Sequence, residues 1–223
     1  MINEPLNTEQ LERDIKDAVA TESDVKEKVR HMTIKALTEG HLDMQSVRQV
    51  ADAVIKGASL GASASDSILK KSLEQAASGL DEALSTAAEA SKLALKEAAS
   101  RGEEFSSHDL KRTLNDLKGL EELFVDTLQD AASSSKGQLS IILNELAEHA
   151  QRSGTAVGKQ IERIVTDLVK QLGDISKDQL ETGVETIKTT GSLLARMAAG
   201  MLEGIADSLH TSESNNSSQD KNR

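Results

Sequence analysis

From Val47 onward, apolar or small side chains recur at steps of 4, 4 and 3 residues. The series runs through Ala51, Val54, Ala58, Ala62, Ser65, Leu69, Leu73, Ala76, Leu80, Leu84, Ala87, Ser91, Leu95 and Ala98. The same frame, carried across 101–106, resumes at Leu117, Leu120, Phe124 and Leu128 and continues to Ile164, Leu168, Leu172 and Ile175. It weakens through Gln179, Gly183, Thr186 and Thr190, then recovers at Leu194, Met197, Met201 and Ile205. Three turns per eleven residues is a hendecad, which favours straight or slightly right-handed helices over the left-handed supercoil of a heptad seam. Alanine-rich helices match many templates, but between 117 and 175 the frame selects large residues. It leaves Lys118, Glu122, Arg152, Glu162, Asp167 and Lys170 outside.

The first forty residues carry a different spacing. Leu11, Ile15, Ala18, Val25, Val29, Met32 and Ala36 step by 4 and 3, interrupted at Glu22, as a heptad seam does. This predicts one helix over about 8–38, stopping near Gly40. Three starts pair a side-chain acceptor for the orphan N–H groups with an apolar clasp. They are Asn7 between Leu6 and Leu11, Asp43 between Leu42 and Val47, and Ser106 between Phe105 and Leu110. Ser176 fits the same device inside a continuing helical pattern and would mark a kink. The expected organisation is an N-terminal helix over 1–40, a long-helix bundle over 43–209 bent at a hinge over 101–106, and a disordered polar tail over 210–223. A continuous helix over 43–100 would be roughly 85 Å long. Weak points in the third stretch fall at 133–137, at Ser153-Gly154 and at 189–191.

A second stripe consists of small residues. Gly57 and Gly61, Gly79 and Ala83, Ala90 and Ala94, and Gly200 and Gly204 occupy the same two positions of the eleven-residue frame. Small residues four apart let helix backbones approach closely. A glycine inside a helix costs roughly 1 kcal/mol against alanine, so its repetition in one frame calls for a packing reason. The fold class expected is all-α: an elongated antiparallel helical hairpin or bundle, with few long helices and no strands.

Composition narrows the function classes. The chain has two Phe, no Trp, no Tyr and one proline, Pro5, ahead of the first helix. Aromatics normally dominate interface hot spots. The formal net charge of −11 argues against nucleic acid, which requires a concentrated basic stripe, and against anionic membranes. No cysteine is present, which excludes disulfides and thiolate metal sites. The N-terminal stretch lacks the basic and apolar regions of a secretory signal. The apolar segment 191–209 carries Arg196, Glu203 and Asp207, too many charges for a spanning helix. A soluble cytoplasmic protein is expected.

The search for chemistry yields little. The five histidines are scattered and none has metal-ligand spacing. Glu145 and His149 are four apart, a spacing that suits a surface pair better than a metal site. No phosphate-binding glycine loop and no nucleophile elbow occurs. Glu103-Glu104 and Glu121-Glu122 read as solvated carboxylates at a hinge and on a helix surface. Asp66 with Lys70 and Glu148 with Arg152 read as helical i,i+4 pairs. No catalytic residue, cofactor or metal is expected.

At EASKLALKEAASRGEEFSSHDLKRTLNDLKGLEELFVDTL (89–128) the chain resembles a family of bacterial all-helical proteins known only as a domain of unknown function. FSSHDLK is the most specific part of that resemblance, which covers 43–209. It implies a bacterial cytoplasmic origin and carries no activity. In pattern alone, the amphipathic repeat is similar to apolipoproteins, perilipins and phasins, the last being coat proteins of polyester storage granules. The expected function is a non-enzymatic helical interaction or scaffold protein that packs on itself or on another helical protein, as a homo-oligomer. The alternative is a phasin-like or apolipoprotein-like coat on a neutral lipid or storage-polyester surface. Alanine methyls add little to interfacial binding, so 76–99 suits helix packing and 110–175 suits either purpose.

Overall fold

The computed structural model describes residues 7–21, 23–39, 43–62, 66–100, 107–173 and 198–205. Among them every regular element is helical. The helices are α1 (Thr8–Thr21), α2 (Val25–Glu39), α3 (Met44–Gly61), α4 (Asp66–Ser100), α5 (Ser107–Ser134), α6 (Gln138–Ser153) and α7 (Ala156–Gly173). A short helix follows over 198–205.

Two expected helices are divided. The helix expected over 8–38 breaks at Ser23-Asp24 into α1 and α2. Asp24 is the reason: its carboxylate accepts from the Glu27 N–H at 3.3 Å and its carbonyl from Lys28 at 3.2 Å. Asp24 followed three residues later by Glu27 is an acidic form of the capping box. The expected 85 Å helix over 43–100 breaks after Gly61, where the Ala62 N–H closes on the Ala58 carbonyl at 3.0 Å. The expected helix over 43–100 is therefore two helices, α3 and α4. The run Gly61-Ala62-Ser63-Ala64-Ser65 offers no large side chain to hold a helix there and contains weak helix formers. Two expected caps are in place. Asn7 accepts from the Gln10 N–H at 3.0 Å, and Asp43 accepts from Gln45 and Ser46 at 3.0 Å each. Ser106, the hinge 101–106, Ser176, the weak point 189–191 and the tail lie outside the described residues.

The third stretch is also divided, at two of its weak points. Gly137 (φ 63°, ψ −140°) ends the α5–α6 connection and Gly154 (φ 71°, ψ 167°) separates α6 from α7. Both lie in backbone regions that are nearly glycine-only. A Cβ at Gly137 would meet nothing within 4 Å, and one at Gly154 only the tip of Lys159. Their role is conformational.

The apolar frame points inward. Val47, Ala51, Val54 and Ala58 of α3, Leu73, Leu80, Leu84 and Leu95 of α4, Leu117, Leu120, Phe124 and Leu128 of α5, and Val157, Ile161 and Ile164 of α7 are all buried in one core. The core is wider than that stripe. Val50, Ile55, Leu123, Val125, Leu143 and Ala147 are buried outside it, because α3, α5 and α6 each pack on more than one neighbouring helix. α3 touches α1, α4 and α5, while α4 touches α2, α3 and α7.

Cross-helix contacts fix relative directions. α1 runs alongside α3 in the same sense, with Glu12 at Gly57 and Lys16 at Gly61. α5 runs parallel to α3, through Met44 at Gly119 and Arg48 paired with Asp126. α6 and α7 together run parallel to α4. Lys70 meets Glu145, Asp81 meets Ala156, and Lys92 meets Asp167. α5 and α6, neighbours in sequence, form an antiparallel pair in which the Ser140 hydroxyl donates to the Ala132 carbonyl at 2.8 Å.

Candidate functional site at the start of α7

α7 begins inside the bundle, so its first N–H groups require partners that water cannot supply. Those of Ala156 and Val157 donate to the two oxygens of Asp81 on α4, at 2.7 and 2.9 Å. The N–H of Gly158 donates to the Thr155 hydroxyl at 2.8 Å. That hydroxyl in turn donates to Glu121 of α5 at 2.9 Å. Thr155 is thus the helix's own N-cap, and Asp81 is a cap supplied from another helix.

The backbone dipole favours negative charge at a helix start, and here the chain's own carboxylates fill that place. Burial pushes the Asp81 carboxyl above its ordinary range, and the negative charges of Glu82 and Glu121 push the same way. The two backbone N–H bonds oppose them without prevailing. A Cβ at Gly158 would meet the Glu121 carboxylate, which would have to swing away from Thr155 to make room.

Beside this junction, Lys118, Glu121, Gly158, Ile161, Glu162, Val165 and Thr166 line an open groove of about 560 Å³ between α5 and α7. Its floor is apolar at Ile161 and Val165, and its rim carries charges of both signs. The helical N–H groups nearest to it are already taken by Asp81 and Thr155. Among the described residues no group of three His, Asp or Glu side chains is placed to hold a metal ion.

Further along α7, Gln160 donates to Glu89 at 2.5 Å. Lys92 reaches Glu89 at 3.4 Å and Asp167 at 3.2 Å. Burial pulls the Lys92 ammonium down, but the Asp167 hydrogen bond and the Glu89 charge outweigh it and the net direction is up. At the α3–α5 interface, burial raises the Asp52 carboxyl, while Arg48 and Thr127 act against it. The buried Thr127 hydroxyl meets no acceptor at full hydrogen-bond geometry, and Asp52 is the carboxylate it favours.

The small-residue stripe divides by location. A Cβ on Gly57 would collide with the Glu12 carbonyl oxygen and come within 3.0 Å of the Ile15 Cβ. On Gly61 it would collide with the Lys16 carbonyl, and on Gly79 with the Lys26 carbonyl of α2. Ala83, Ala90 and Ala94 are buried on α4. Gly200 and Gly204 are exposed, and a Cβ on either meets nothing within 4 Å. An ion pair accompanies two of the crossings. Glu12 reaches Lys56 at 2.7 Å beside Gly57, and Lys26 reaches Glu82 at 2.6 Å near Gly79.

Several expected surface groups take different partners. Glu121 is half-buried against α7, whereas Glu122 is exposed. Lys70 pairs with Glu145 of α6 at 2.9 Å. His149 lies 3.4 Å from the Ser153 hydroxyl. Glu148 and Arg152 do pair along α6, at 3.6 Å. Asp81 and Thr155 carried no sequence signal as partners. The only local hint was the weak point at Ser153-Gly154, followed by a threonine in N-cap position.

No helix among the described residues is long and apolar enough to cross a membrane. Residues 1–211 match the model of a family described as a family of unknown function (DUF6781). No curated protein and no solved structure matches the chain.

Proposed function

The chain belongs to the DUF6781 family, and we propose that it is a non-enzymatic helical interaction or scaffold protein whose partner is a second copy of itself or another helical protein. The observation that carries this reading is the groove between α5 and α7, with its apolar floor at Ile161 and Val165 and its rim of Lys118, Glu121 and Glu162. Helices seat in grooves of this kind through apolar anchors, while rim charges set direction and partner choice. The shifted titratable groups support it too. Asp81 caps α7, Lys92 ties α4 to α7 and Asp52 faces α5. Each has a packing role, and none lines the groove beside a second perturbed group as a general acid and base would.

The test is sedimentation equilibrium of the full chain across the micromolar range, with Val165→Asp as the variant. The expected result is a concentration-dependent oligomer that Val165→Asp weakens at least tenfold. A monomer at every concentration would leave only a foreign helical partner. An oligomer indifferent to Val165→Asp would remove the groove as the contact.

A second reading, the coating of a neutral lipid or polyester surface, is favoured by α7 itself. Val157, Ile161 and Ile164 line one side, while Lys159, Glu162 and Arg163 are exposed on the other. Interfacial helices have this division. Flotation with neutral liposomes and isolated polyester granules tests it. Absence of co-flotation together with unchanged helicity would remove it.

A further inference from the structure

We propose that two copies of the chain pair through the groove between α5 and α7 about a two-fold axis, with Lys118 of each copy meeting Glu162 of the other. This rests on the interaction reading and narrows it to one partner, a second copy, and to one symmetry.

The two charges stand at one level of the groove. α5 and α6 are antiparallel, and α6 and α7 both run parallel to α4, so α7 runs antiparallel to α5. Glu121 of α5 lies against Gly158 of α7 and accepts from Thr155 at 2.9 Å. One turn from that contact, toward the start of α5 and the end of α7, come Lys118 and Glu162. Both line the groove, on opposite helices.

Both charges are also free to take an outside partner. Each is exposed, and neither side chain makes a hydrogen bond or an ion pair among the described residues. On other helix pairs opposite charges do meet. Lys92 reaches Asp167 at 3.2 Å, Lys70 reaches Glu145 at 2.9 Å and Arg48 reaches Asp126 at 3.5 Å. Lys118 and Glu162 face one opening and do not close it.

A two-fold axis is the operation that pairs them. In such an interface one patch meets itself, and each contact occurs twice. The α7 lining of the groove runs from Gly158 to Thr166, and Glu162 is at the middle of that span. An axis through the groove at this level reverses the helix directions and keeps the level. Lys118 of one copy then lies opposite Glu162 of the other, and the half-buried Val165 is set toward Ile161 of the other copy. Thr166 brings no unmet donor, because its hydroxyl donates to the Glu162 carbonyl at 2.8 Å. A foreign helix would need a matching base and acid at this spacing; a second copy carries them by construction. The contact covers about two and a half turns of α7, and two chains of net charge −11 repel at long range. The pairing is therefore weak, and the two local charge pairs decide it.

The test is a charge exchange, read by sedimentation equilibrium of the full chain at low salt. Lys118→Glu alone and Glu162→Lys alone each set like charges opposite one another twice, and each should weaken self-association about tenfold. In an equimolar mixture of the two variants, the new acid meets the new base and the native Glu162 meets the native Lys118. The mixture should regain the wild-type association, and so should the double variant Lys118→Glu/Glu162→Lys. Lys118→Gln and Glu162→Gln should weaken association less, and they serve if circular dichroism shows that a reversal disturbs the fold. Recovery in the double variant but not in the mixture would overturn the proposal, since the pair would then act within one chain. Association that Val165→Asp weakens but neither charge reversal alters would overturn it too, and would leave the interaction reading standing. A wild type monomeric at every concentration would overturn it and leave only a foreign partner. An oligomer indifferent to Val165→Asp and to both reversals would remove this pairing and the groove together.

Discussion

Gly57 of α3 lies directly under the carbonyl oxygen of Glu12 on α1, so close that a β-carbon at this position would overlap it. Substitution by alanine normally stabilises a helix interior by roughly 1 kcal/mol. Here the gain is opposed by overpacking against backbone, which cannot rotate aside and costs about 1–3 kcal/mol. Gly57→Ala and Gly61→Ala are therefore expected to lower stability in chemical denaturation followed by circular dichroism. Gly200→Ala, with open space around its Cβ, should raise it by about 0.5–1 kcal/mol. Equal effects at Gly57 and Gly200 would refute a packing role for Gly57.

Asp81 supplies two of the first three hydrogen bonds at the start of α7. Asp81→Ala leaves the Ala156 and Val157 N–H groups without their acceptor, and a lost cap costs about 1–2 kcal/mol. Asp81→Asn keeps one acceptor oxygen and removes a charge that burial, Glu82 and Glu121 all disfavour. It should cost clearly less than the alanine variant in the same denaturation experiment. The ranking is what matters; asparagine as harmful as alanine would mean that the charge, not the acceptor, holds the helix.

Proton linkage has a definite sign at Asp52 and Asp81. Both carboxyls sit above their ordinary value of 3.8 in the fold, with burial the leading cause. In the window between that value and the raised one, the folded chain holds more protons than the unfolded chain. Stability contributed by these groups is then full below pH 3.8 and is lost as the pH rises through their folded values. Melting temperatures of wild type and Asp81→Asn across this window should move apart, with the variant gaining on the wild type toward neutral pH. A pH-independent difference would show that Asp81 titrates normally.

Ile164 and Ile141 are both isoleucines on amphipathic helices, yet Ile164 is fully buried and Ile141 is 52% exposed. Truncation of Ile164 to alanine should cost about 2–5 kcal/mol, through lost transfer energy and the cavity left behind. Ile141→Ala should stay within about 0.5 kcal/mol. Thermal unfolding of the two variants distinguishes them directly.

How much of this was legible depends on the range of the interaction. Val47, Val54, Leu80, Leu84, Leu117, Leu128, Ile142 and Ile164 of the frame are buried, because burial follows helical periodicity and periodicity is local, whereas Ser153 of the same frame is exposed. The caps at Asn7 and Asp43 were legible for the same reason. Asp24 was missed although its capping pattern was present, since the apolar spacing ran on past it. The interruption after Gly61 was hidden by alanines and serines that continue any helical template. Val50, Ile55 and Leu143 lie off the frame and are buried only because a second helix covers them. The junction of Asp81, Glu121 and Thr155 was beyond local reading altogether. Its members come from three helices, and each alone resembles an ordinary surface residue.

The pairing of α4 with α6 and α7 keeps one displacement along its length. Lys70 meets Glu145 and Asp81 meets Ala156, each pair 75 residues apart. The glycine crossings of α1 on α3 and of α2 on α4 join partners much nearer in sequence. A chain emerging from the ribosome N-terminus first can therefore close those crossings while the strand of helix that will cover α4 has yet to be made. Contacts of high sequence separation also carry the larger loop-closure cost. The side of α4 that carries Asp81, Glu89 and Lys92 then waits uncovered until α7 has been synthesised, and α1 to α4 must remain soluble in the interval. The buried alanines of α4, among them Ala83, Ala88, Ala90 and Ala94, leave a nascent chain less apolar surface with which to aggregate than leucines there would.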